Sequence, residues 1–68
     1  MVKFEDISNT YLSNLIDEWI KSERNRQIMK KRLIDLYTLE DLADEFSLSV
    51  PHIHKIVKTN LKIIEKHI

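Results

Sequence analysis

Lys55, Lys58 and Lys62 follow one another at steps of three and four residues near the end of a 68-residue chain. On a helix, at about 100° per residue, that spacing lines three ammonium groups along one stripe. Pro51 and Thr59 fall on the same side, with His52 and His54 on its flanks. A cationic stripe suits a polyanion, whose phosphates are neutralised by Lys and Arg with release of bound counterions. A second cationic set, Arg24, Arg26, Lys30, Lys31 and Arg32, stands upstream. For each of these residues the alternative is an ordinary solvated charge. Arg32 has a third option, an internal pair with an acid of the next helix such as Glu45.

Other chemistry finds little footing. His52 and His54 are two residues apart, about 200° on a helix, so their rings diverge and do not share an ion. The chain has no cysteine and no HExxH, and no metal is expected. Imidazoles charge near pH 6.5, so affinity for a polyanion would rise on mild acidification. Ser8, Ser13, Ser22, Ser47 and Ser49 read as caps and surface residues, and no nucleophile, base and oxyanion donor assemble. Glycine is absent, which removes any glycine-rich phosphate loop. Neither an enzyme nor a cofactor is expected.

Eleven Lys and Arg balance eleven Asp and Glu, a net charge of zero that argues at first against nucleic acid. The distribution reverses that argument. Residues 1–20 hold one Lys against four acids, and residues 21–34 six Lys or Arg against one acid. Residues 35–46 hold five acids and no base, and residues 47–68 four Lys against one acid. Blocked charge steers a polyanion by one face even when the total is zero.

These residues need elements to hold them. A charged fraction of 32% and a hydrophobic fraction of 43% describe a globular chain rather than a disordered one. The length allows one small domain, residues 1–68, with a marginal core. With no glycine, one proline and no period-2 alternation, hairpins are excluded and an all-α fold is expected. Ile7, Tyr11, Leu12, Leu15, Ile16, Trp19 and Ile20 form one helical face, started by Asp6 or Ser8. Tyr11 and Trp19 read as core at that spacing, with a partner-binding stripe as the alternative. Ser22 caps a second helix carrying Ile28, Met29, Leu33, Leu36 and Tyr37. Thr38-Leu39-Glu40-Asp41 is a capping box for a short helix from about Leu39 to Phe46. Ser49 caps a last helix with Pro51 in its first turn, running as far as His67.

The very short link between the third and fourth helices is the informative feature. Leu42, Ala43, Phe46, Leu48, Ile53 and Ile56 fill the buried positions of a helix-turn-helix, although two packed helices of a plain bundle would look similar. The expected architecture is a four-helix small domain with a tri-helical helix-turn-helix core.

Residues Ser22 to Arg32, Leu39 to Ser49 and Ile53 resemble region 4 of bacterial sigma factors and the related LuxR-type DNA-binding domains. Both families have an arginine-bearing helix, a Glu-Ile-Ala-like helix, then Gly-Ile-Ser opening the recognition helix. The resemblance covers residues 22–64 and leaves 1–21 as an extra N-terminal helix. It implies a recognition helix over about 49–66 in the major groove of double-stranded DNA. Its groove-facing candidates are Ser49, Val50, Pro51, His52, His54, Lys55 and Lys58. The family's base-reading positions fall on Val50, Pro51 and Lys55. The first two offer only contact with a thymine methyl, and Lys55 reaches guanine O6 or N7. Phosphate candidates are Arg24, Arg26, Lys31, Arg32, Thr38, Thr59 and Lys62. Ser47 replaces the family's turn glycine, where positive φ costs a non-glycine residue roughly 1 kcal/mol.

The resemblance implies a transcriptional regulator, and the small size suggests a phage or mobile-element origin. The rival is a protein-interaction module, an antirepressor or inhibitor that binds a repressor or RNA polymerase through the acidic block at residues 35–46. A structural DNA adaptor is a third option. Ile63, Ile64 and Ile68, with the first helix, are expected to form a homodimer contact. No apolar run reaches the roughly 18–20 residues of a membrane span, and the opening Met1-Val2-Lys3-Phe4 runs straight into Glu5 and Asp6, which is not expected of a signal peptide. A cytoplasmic protein with no membrane partner is the expectation.

Overall fold

The computed structural model describes residues 7–68. They form four helices and no strand: α1 Asn9–Trp19, α2 Glu23–Leu33, α3 Leu39–Phe46 and α4 Val50–Glu65. Each starts on a hydroxyl that satisfies an amide otherwise left without a partner. Ser8 Oγ accepts from Tyr11 N at 3.1 Å, and Ser22 Oγ from Asn25 N at 3.3 Å. Thr38 Oγ1 accepts from Asp41 N at 3.0 Å while Asp41 Oδ2 accepts from Thr38 N at 3.2 Å, a complete capping box. Ser49 Oγ accepts from His52 N at 3.2 Å, and Pro51 sits in the first turn where its missing N–H costs nothing. The alternative first cap, Asp6, lies outside the described residues.

Two apolar clusters hold the helices together. Leu12, Leu15, Ile16 and Ile20 pack with Met29 of α2 and Ile64 of α4. Ile28 of α2 packs with Leu42 and Ala43 of α3 and with Ile53 and Ile56 of α4. Val57 touches both. Ile28 and Met29 are neighbours in sequence yet serve different clusters, so α2 is a wall common to the two.

Several expectations are corrected. α2 ends at Leu33, and Leu36 is 75% exposed on a backbone with φ of 60°, which turns its side chain away from the core. Tyr11 and Trp19 are also exposed. Tyr11 stands at the edge of the buried stripe. Trp19 is the last residue of α1, and its ring lies flat on His67, 3.6 Å between centroids. α4 stops at Glu65, short of His67.

α3 and α4 are joined by Ser47, Leu48 and Ser49 alone. Ser47 holds the left-handed conformation, φ 56° and ψ 41°, and the Ser47 and Leu48 amides both reach the Ala43 carbonyl. The turn thus keeps its glycine-type geometry with a serine in place. Ser47→Gly is therefore expected to stabilise the fold by about 1 kcal/mol, a rise in Tm of about 4–8 °C for a domain this small. A thermal melt of the variant showing no rise would remove the strain argument.

Candidate nucleic-acid interface

α4 divides cleanly along its length. Ile53, Ile56, Asn60 and Ile64 are buried. Val50, Pro51, His52, His54, Lys55, Lys58, Thr59 and Lys62 are exposed. Lys55, Lys58 and Lys62 make no ion pair among the described residues. Lys55, Lys58 and Lys62 thus all lie on the exposed side of α4, while Ser49 is occupied as the cap at its start.

The cations of α2 are placed differently. Lys30 Nζ pairs with Asp17 of α1 at 2.7 Å. Lys31 Nζ pairs with Glu45 of α3 at 3.0 Å and lies 5.1 Å from the Tyr37 ring centre. The hydrogen bond to Glu45 raises the Lys31 ammonium above its ordinary value of 10.5, despite partial desolvation. Arg32 donates to the Tyr37 carbonyl at 2.9 Å, so the carboxylate of Glu45 takes Lys31 instead of Arg32. Arg26 donates to the Ile20 and Lys21 carbonyls, both at 2.9 Å, and ties the end of α1 to α2. Arg24 reaches only the Asn25 Oδ1, at 3.4 Å. Thr38 serves the capping box. Among the described residues, Arg24 is the one α2 cation that stays clear of another helix, a carboxylate or a main-chain carbonyl.

Charge blocks thus have a structural role as well. A basic helix lies between two acidic ones and meets each through one pair. Exposed pairs of this kind contribute only about 0–1 kcal/mol each, so they orient the helices more than they stabilise them.

Two features escape the cationic pattern. Asn60 is buried in α4, where its Nδ2 donates to the Ile56 carbonyl at 2.7 Å. It stands four residues after Ile56 and four before Ile64, so the spacing alone places it on the buried stripe. An open pocket of about 230 Å³ lies between the first turn of α2 and α4, lined by Asn25, His52, Lys55, Ile56, Thr59 and Asn60. Nothing in the sequence pattern marks Asn25 for it.

At the apolar end, Ile64 is fully buried inside the first cluster and cannot meet a second chain. Ile63 is half-buried and Ile68 exposed. No helix among the described residues is long and apolar enough to cross a membrane. In comparisons with known proteins, the chain matches no family model, no curated protein and no solved structure.

Proposed function

We propose that this chain is a DNA-binding transcriptional regulator of a phage or mobile element, acting in the cytoplasm. In this reading α2, α3 and α4 form a helix-turn-helix core similar to sigma region 4, and α4 enters the major groove. One observation carries it: the helix that follows the three-residue turn has one face buried on α3 and an opposite face of lysines unpaired among the described residues. Val50, Pro51, His52, His54, Lys55 and Lys58 face the groove, while Arg24, Thr59 and Lys62 meet phosphate.

A protein-binding role is favoured by a separate observation. Glu40 and Asp44 are exposed one turn apart on α3, and Leu36 and Tyr37 are exposed beside them in sequence. A basic partner such as a repressor or polymerase subunit would suit that surface.

Selection of bound duplexes from a random pool at two salt concentrations separates the readings. A regulator enriches a motif and loses affinity steeply with salt. A two-fold motif would point to a pair of chains, with Ile63, Ile68 and α1 as the contact, and a single half-site to one chain. No enrichment at either salt would refute sequence-specific DNA binding and leave the protein-binding role.

A further inference from the structure

We infer that the open pocket between α2 and α4 seats a backbone phosphate of the bound duplex and draws the first turn of α2 into the interface. The inference rests on the DNA-binding reading above. The lining supplies an ammonium from Lys55, a hydroxyl from Thr59, an imidazole from His52 and a carboxamide from Asn25, with no carboxylate among them. Ile56 and Asn60 complete the lining, and Asn60 gives its amide to the Ile56 carbonyl rather than to a ligand. Arg24 donates to Asn25 Oδ1 from two of its nitrogens, which leaves Asn25 Nδ2 as the group without a partner among the described residues. The donors come from two helices, so the pocket is defined by their packing and not by one surface stripe. Lys55 belongs both to this pocket and to the α4 stripe, so the two are continuous. A free anion in so open a pocket is held by few contacts. A duplex phosphate is delivered there by the rest of the interface.

Asn25→Asp tests this directly. Residue 25 is the third position of α2, where Asp41 already stands in α3 as half of a capping box. A carboxylate is favourable in a helix's first turn, so the variant keeps its fold. Gln27→Glu makes the same charge change on an exposed α2 position outside the pocket. Asn25→Asp is expected to weaken binding to cognate and random duplexes alike by about tenfold or more. Gln27→Glu is expected to cost about threefold or less, because solvent and salt screen it. Equal losses in the two variants would overturn the pocket while leaving DNA binding intact. A wild-type chain that binds no duplex overturns both. Saturable shifts of the Asn25 and Thr59 amide signals with inorganic phosphate alone, with duplex affinity untouched in Asn25→Asp, assign the pocket to a free anion and overturn the duplex as its source.

Discussion

Replacing Lys55 and Lys58 together by alanine is expected to lower duplex affinity roughly thirtyfold, about 2 kcal/mol, through the removal of both groove-facing ammonium groups, with the base-edge contacts they make and the phosphate charge they neutralise. The salt dependence should flatten as well, by about 0.9 in the slope of log K against log salt for each phosphate that is no longer neutralised. Stability should hardly move, because both side chains are exposed and unpaired among the described residues, and such substitutions stay within about 0.5 kcal/mol. Lys31→Ala is the contrasting case. Its ammonium is engaged by Glu45 and Tyr37, so its removal should cost up to about 1 kcal/mol of stability and little affinity. Titrations of the double variant across salt that overlay wild type would show that the outer face of α4 is not where DNA docks.

A second large effect concerns the support for that face. Leu42 is fully buried and is the main apolar anchor of the eight-residue α3. Leu42→Ala removes buried volume that the surroundings refill only in part, at a cost of about 2–5 kcal/mol. A chain of this length has only about 3–10 kcal/mol in total. The variant is therefore expected to be partly or wholly unfolded near physiological temperature, measured by far-ultraviolet circular dichroism against temperature and urea. Leu42→Met keeps the volume and should cost less than about 1.5 kcal/mol, with DNA binding retained. An alanine variant that melts within a few degrees of wild type would mean that α3 does not depend on this anchor.

The caps, the all-α class and the α3–turn–α4 spacing were legible in the residues themselves. Ser8, Ser22, Thr38 and Ser49 each precede an apolar repeat, and each accepts the amide that its position implies. The exposed side of α4 was legible for the same reason, since Ile53, Ile56 and Ile64 leave only one orientation for Lys55, Lys58 and Lys62. What periodicity could not carry was the end of each helix and the destination of each long side chain. Leu36 keeps the apolar spacing of α2 but lies past its last turn, where the backbone has changed hand. Arg26, Lys31 and Arg32 read as one basic run, yet each reaches something different: the end of α1, a carboxylate of α3 and a carbonyl after α2. An arginine or lysine chooses among partners several ångströms away, and that choice is made by tertiary packing. Asn25 carries no pattern of its own, and it lines a pocket only because α2 and α4 pack there.

The wall formed by α2 bears on how far this small chain can be divided. Met29 and Ile64 lie within residues 22–64, but Leu12, Leu15, Ile16 and Ile20, which cover them, all precede Ser22. A fragment cut at Ser22 would retain the turn, the lysine face and the second cluster, and would present Met29 and Ile64 to water. It would also release Arg26, whose two carbonyl partners lie at Ile20 and Lys21. The first helix is accordingly no appendage. It supplies one whole side of the interior, and residues 22–64 taken alone would leave that side uncovered.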